Sequence, residues 1–361
     1  MLAIKFALLV CLGVFVAGRP SEEKRLIKVS EDQDAVWMSE EEIFILIEKK
    51  THFMDVTGRN FPAEKPIVAN ALPTTIRFQD FVTPILSGIN IPRMEAFVDA
   101  FDDFPNRYYN NQNGVTSSDW LFVQVEEAIA SSGYQGVTSV NKVLHSWPQN
   151  SVIAKIEGSD PTLKSEVLIF GAHQDTINSR NPSAGIAPGS DDNASGSVTL
   201  LESLRVLLAA GVVPKRSIEF QWYAAEEVGL RGSGDIAQAY SNQQVNVIGM
   251  VNFDVVGYRA GQNEIGLLTD YTNPTLTSFL KLVIDEYCTY RWVNDYCGYA
   301  CSDHASFHAY NFPASSPSEF PLNPYMHTTT DTTDRMSFEQ VAEFVKLTIA
   351  AAIEIAEPTG V

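Results

Sequence analysis

The chain has 361 residues and carries 44 Asp and Glu against 25 Lys and Arg, a net charge of −19. That acidity excludes the basic footprint that draws nucleic acids and anionic membranes. A hydrophobic content of 45% supports a full-sized core, and the length suits one large α/β domain with extra segments. Residues 1–18 hold one charge, Lys5, followed by the apolar run Phe6–Ala17 and by small Val16 and Gly18 at a cleavage position. The run is shorter than the ~20 residues that span a bilayer. It reads as a secretory signal peptide, which makes the protein secreted and extracellular. Residues 19–75 are acidic, with Glu22, Glu23, Glu31, Asp32, Asp34 and Glu40–Glu42. Ser39 followed by Glu42 is a capping-box signature ahead of the apolar run Ile43–Ile47, so one amphipathic helix is expected there and little else. Pro62, Pro66 and Pro73 mark an extended link. After a signal peptide, the segment reads as an acidic propeptide lying over the domain that follows, residues 76–361.

From Thr75 onward the pattern is globular. Helices are expected over Pro92–Tyr109 and from Ser118, the second with Trp120, Val123 and Ala128 inward. Apolar, β-rich runs follow at Ser151–Ile156, Val167–Ala172, Ser217–Ala224, Val247–Asp254 and Glu264–Leu268. Helical stretches alternate with them at Ala194–Ala210, Gly229–Gln243, Pro274–Tyr287 and Ser337–Ile355. Buried strands alternating with helices point to an α/β fold: a mostly parallel central sheet, flanked by helices on both faces, in a single domain. Cys11 leaves with the signal peptide. Of the other three cysteines, Cys297 and Cys301 lie four apart, and Cys288 sits on an apolar run of helical spacing and reads as a buried free thiol.

Ligands of open α/β sheets gather beyond the carboxyl ends of the strands. Here those ends carry His173 and Asp175, Glu226 and Glu227, and Asp254. A Gly-rich turn holding Asp191 and Asp192 leads into a helix, and His327 lies in a polar stretch near the C-terminus. A single acid at a strand end is often only a helix cap, and a single His is commonly a hydrogen-bonded core residue. Several carboxylates at one sheet edge, however, repel one another unless cations are present. Imidazole and carboxylate without paired thiolates suit Zn²⁺, with manganese and cobalt as alternatives.

Six motifs in order then make the chain recognisable: Gly171-Ala-His-Gln-Asp175, Pro188-Gly-Ser-Asp-Asp-Asn-Ala-Ser-Gly196, Ala224-Ala-Glu-Glu-Val-Gly-Leu-Arg-Gly-Ser233, Asn252-Phe-Asp-Val255, Cys297-Gly-Tyr-Ala-Cys-Ser-Asp-His-Ala305 and Met326-His-Thr-Thr-Thr-Asp331. Across Ile76–Ile355 the sequence resembles the secreted bacterial and fungal leucine aminopeptidases of the co-catalytic two-zinc family. The resemblance implies two Zn²⁺ per chain. His173 and Asp254 would hold one, Glu227 and His327 the other, with Asp192 bridging and Asp175 orienting His173 from behind. It implies Glu226 as general base beside a zinc-activated hydroxide, Tyr299 as a donor to the developing oxyanion, and a Cys297–Cys301 disulfide holding Tyr299. It leaves His304 and His308 outside the metal shell, and it leaves the sequon at Asn193 without a glycan. Val255 and Leu268 would line the side-chain pocket. Where the family often places large apolar residues, this chain has Ser315, Ser316, Pro317 and Ser318, so the pocket expected to prefer leucine or another apolar residue is wider or more polar here. The expected partners are peptides with a free N-terminus and the chain's own propeptide as inhibitor, with the enzyme a monomer. Three other readings share the fold. A glutaminyl cyclase would use one zinc. A carboxypeptidase would need a cationic clamp, which no motif assigns to Arg231 or Arg259. A non-enzymatic binding module would have lost ligands that are intact here.

Overall fold

A computed structural model describes residues 24–63 and 72–360; the expected signal peptide lies outside them. The N-terminal segment holds more than the one helix expected. Strands β1 (Arg25–Lys28), β2 (Val36–Met38) and β3 (Met54–Asp55) form an antiparallel sheet in the order β2-β1-β3. With four, three and two residues, they are too short to show an alternation in sequence. Between β2 and β3 runs α1 (Glu40–Glu48). Ser39 Oγ accepts from the Glu42 N–H, and the Glu42 carboxylate accepts from the Ser39 N–H, so the capping box is complete.

The main body opens with three helices, α2 (Gln79–Leu86), α3 (Ile91–Asp102) and α4 (Gln112–Ser131). The helix expected to reach Tyr109 stops at Asp102, because the next residues turn inward to bury Arg107, Tyr108 and Tyr109. The second helix starts earlier than expected. Asn111 caps it by accepting from the Gly114 N–H, and its inward face is Leu121, Val125 and Ala128, while Val123 is exposed. Then come β4 (Thr138–Val143), β5 (Ser151–Ile156), β6 (Glu166–His173), α5 (Gly196–Ala209), β7 (Ser217–Tyr223), α6 (Arg231–Gln243) and β8 (Asn246–Asn252). The chain ends with β9 (Glu264–Leu268), α7 (Pro274–Tyr287), β10 (Arg291–Asp295), α8 (His304–Ala309), β11 (Ala314–Ser315), β12 (Pro317–Glu319) and α9 (Phe338–Ala356).

The central sheet runs β11-β8-β6-β7-β5-β4. Its β11, β8, β6 and β7 strands are mutually parallel, whereas β5 and β4 close one side antiparallel. The expected sheet is therefore mostly parallel, with an antiparallel margin. Both faces of β6 are apolar, as a doubly covered strand requires. Leu168, Phe170 and Ala172 face the large core with α5 and α9, while Val167 and Ile169 face the smaller core with α6 and α8. A second small sheet, β10-β9-β12, flanks the carboxyl end of the first. Among the described residues no helix is long and apolar enough to cross a membrane.

Candidate metal centre and its cavity

The carboxyl ends of β6, β7 and β8 deliver His173, Glu226 with Glu227, and Asp254 to one edge of the sheet. Asp192 arrives on the turn before α5, and His327 on the loop that precedes α9. Gly196 lets that turn close on the end of β8: a Cβ there would stand 2.4 Å from the Phe253 carbonyl oxygen. Non-glycine residues with positive φ sit beside or at the ligands, at Ala225 (57°), Val255 (51°) and His327 (61°). Such backbone costs of order 1 kcal/mol or more per residue and persists where surrounding packing enforces it.

His173 Nε2 stands 3.2 Å from Asp254 Oδ1 and 3.2 Å from Asp192 Oδ1. His327 Nε2 stands 3.1 Å from Asp192 Oδ2 and 2.8 Å from Glu227 Oε2. Two three-residue groups result, His173, Asp192, Asp254 and Asp192, Glu227, His327, with Asp192 offering one oxygen to each. Donor atoms around one tetrahedral zinc, at bonds of ~2.0–2.1 Å, lie about 3.3 Å apart, so this spacing fits. Glu227 Oε1 is buried with no hydrogen-bond partner, as a ligand oxygen awaiting a cation would be. Without a metal, burial is the largest single influence and lowers the basicity of His173 and His327, but Asp254, Glu226, Asp175 and Asp192 together at His173, and Glu227 with Asp192 at His327, outweigh it, and both imidazoles rise well above their ordinary value. Burial raises Glu227 to about 7. The cluster thus retains the protons that a bound metal displaces.

The carboxylate of Asp175 accepts from the Glu226 N–H (3.0 Å) and the Glu227 N–H (3.2 Å), and its Oδ1 lies 3.7 Å from His173 Nδ1. One buried acid therefore ties the His173 strand end to the Glu226–Glu227 turn. Glu226 belongs to neither three-residue group, yet it lines the same cavity, and burial raises its carboxyl well above the usual range. Arg107, which sequence reasoning missed, is fully buried. It donates to the carbonyls of Gln174 (2.9 Å), Pro188 (2.5 Å) and Gly189 (2.8 Å), clamping the loops of His173 and Asp192 together. Nothing local marks it: an arginine between Asn106 and Tyr108 reads as surface.

An open cavity leads to Asp192, Glu227, Asp254 and His327. Val255, Leu268, Ser316 and Ser318, the expected side-chain pocket, all line it, joined by Leu322 and Met326, which sequence reasoning did not single out. Tyr299 does not line it. It packs instead against a cluster of Met54 and Val56 from the N-terminal segment with Leu230, Ala300 and Ala305, and lies edge-on to Tyr271. Cys297 and Cys301 are disulfide-bonded, and Cys288 is free, its thiol pKa raised by burial. His304 starts α8 with both ring nitrogens buried and unpartnered, while its neighbouring cysteines are taken up by the disulfide. Asn193 is buried with its amide engaged on the Phe253 carbonyl and the Gly196 N–H, which leaves no room for a glycan.

The N-terminal segment forms one wall of the cavity. Ile47, Lys50, Thr51, His52 and Phe53 line it opposite Asp192, Glu226 and His327. Ile43, Ile47 and Phe53 pack with Tyr108, Tyr109, Trp147, Ala225 and Val228 of the main body.

Peptidase family M28 matches residues 151–352. The chain is similar to leucine aminopeptidase 1 of Arthroderma otae, 38% identical with 96% of each chain covered. It is 40% identical to leucine aminopeptidase 1 of Coccidioides posadasii, over 94% of this chain and 91% of that one. The Legionella pneumophila LapA aminopeptidase superposes with a TM-score of 0.81 at 30% identity, covering 94% of this chain and 95% of that one.

Proposed function

The chain belongs to peptidase family M28, and on that premise we propose that it is a secreted metallo-aminopeptidase, made as a precursor, that removes N-terminal residues from peptides at two zinc ions. The observation that carries this reading is Asp192, one oxygen against His173 and the other against His327. His173 and Asp254 would hold one zinc, Glu227 and His327 the other, and Asp192 would offer one oxygen to each. Zinc bound there supplies Lewis acidity and brings the pKa of water to about 7. Glu226 takes a proton from the attacking water and passes it to the departing amine, work worth 10²–10⁴-fold in typical cases. Asp175 keeps the backbone of both glutamates in place. Tyr299 donates to the carbonyl oxygen once the N-terminal segment, which supplies Met54 and Val56 to the cluster it packs against, has left. Val255 and Leu268 receive an apolar side chain, while Ser316 and Ser318 make one wall polar. Residues 1–18 are the signal peptide, 19–75 are the removable inhibitor, and the mature enzyme, a monomer, begins near Thr75.

The test uses leucyl-anilide and its N-acetylated form on protein freed of the N-terminal segment. The reading predicts cleavage of the first and none of the second. Equal cleavage of both contradicts an aminopeptidase.

A further inference from the structure

Residues 52–55 trace a path that no chemistry described so far uses. His52 and Phe53 line the cavity. From there the chain passes alongside the turn that follows Glu226 and Glu227. The Asp55 N–H donates to the Gly229 carbonyl oxygen at 3.0 Å. The Asp55 carboxylate stands 3.3 Å from Arg231 Nε, the one ion pair of Arg231 among the described residues. Gly229 has φ 110°, and a Cβ there would lie 2.9 Å from Asp55 N and 3.0 Å from the Phe53 ring. Any side chain at 229 would therefore close this lane.

Arg231 is held ready for its partner. Its guanidinium lies over the Trp147 ring at 4.3 Å and near the Tyr109 ring at 5.4 Å, so its position does not depend on Asp55 alone. Asp235, the acid one turn along the same helix, is engaged by His145 at 2.8 Å and by Arg59 at 3.0 Å. Removing the N-terminal segment takes away Asp55, Arg25 and Arg59 together. It leaves a partly buried guanidinium between two aromatic rings, two residues along from Gly229, which lines the cavity, and with no carboxylate paired to it.

We infer that Gly229 and Arg231 form a subsite that reads a carboxylate on the substrate, two or three residues beyond the bond that is cut, and that Asp55 occupies this subsite in the precursor. The inference rests on the aminopeptidase reading and deepens it. Chain direction supports it. A substrate bound by its N-terminus at the metals runs away from them from amino to carboxyl end, and the stretch from His52, at the cavity, to Asp55, at Arg231, runs in the same sense. The three steps from His52 to Asp55, at about 3.3 Å per extended residue, match the reach of the α-carboxylate of a tri- or tetrapeptide. It equally suits an Asp or Glu side chain at that place in a longer peptide.

Protein folded as the full, zinc-loaded chain is cut between Ala63 and Leu72 and its segment removed. Its KM is then measured on Leu-initiated tri- and tetrapeptides as free acids and as C-terminal amides. It is also measured on longer amidated peptides with Asp or Asn as third or fourth residue. Leucyl-anilide, which has no carboxylate, reports on the aminopeptidase reading alone. The expected result is a KM about tenfold lower for the acid than for the amide, in the first arm for an α-carboxylate or in the second for a side chain. In Arg231→Gln that ratio falls to one, and Arg231→Lys restores part of it. Equal KM for acid and amide in both arms of the unmutated enzyme overturns the inference without recourse to any variant.

Discussion

Glu226 and Glu227 are neighbours in sequence with different partners in space. Glu227 Oε2 meets His327 at 2.8 Å, while Glu226 faces the cavity and joins no ligand group. Glu226→Gln should therefore retain both metals and lose 10²–10⁴-fold in kcat, since only the proton carrier is gone. Glu227→Gln should instead lose metal. Metal content by mass spectrometry and turnover on leucyl-anilide check both, and equal metal loss in the two variants would reverse the assignment. The five residues of the two three-residue groups were each singled out in the sequence, because each lies at a strand end or in a motif of its own. Arg107 was not, because its four carbonyl acceptors, at Phe101, Gln174, Pro188 and Gly189, are brought together only by the fold. Tyr299 shows the opposite limit. Its motif placed it near the site, but no sequence signal says that it packs against a cluster to which the N-terminal segment contributes Met54 and Val56.

At the scale of elements, the long buried strands and helices were readable. Helix α7 runs from Pro274 to Tyr287, the span that its Asn273 cap and apolar spacing mark. Helix α3 was read too long, since the apolar residues after Asp102 serve a turn that buries Arg107. The N-terminal segment was legible as one capped helix, yet its three strands pair only through each other and dock through Arg25, Asp55 and Arg59. Docked so, α1 and residues 50–53 wall the cavity. Cutting the purified precursor after Ala63 and removing the segment should raise turnover of leucyl-anilide at least tenfold, the effect of freeing a blocked mouth. If the untrimmed precursor turns over as fast as the trimmed enzyme, the segment aids folding only and the covering account is wrong.

For the molecule as a whole, the sheet works as a scaffold that converts distant sequence into adjacent chemistry. Residues 173, 192, 227, 254 and 327 meet because β6, β7 and β8 end at one edge and two loops close over it. The parallel centre was readable from strands alternating with helices. The antiparallel margin of β5 and β4 was not, since strand direction leaves no mark in a short apolar run. The central claim is that this one edge works with two metals bridged by Asp192. Its most direct test is to strip the trimmed enzyme with a chelator and titrate zinc back, following activity and bound metal together. The account predicts inactive apoprotein and binding that saturates at two zinc ions per chain, with full turnover reached by that point. Full activity in protein that holds no transition metal would contradict it.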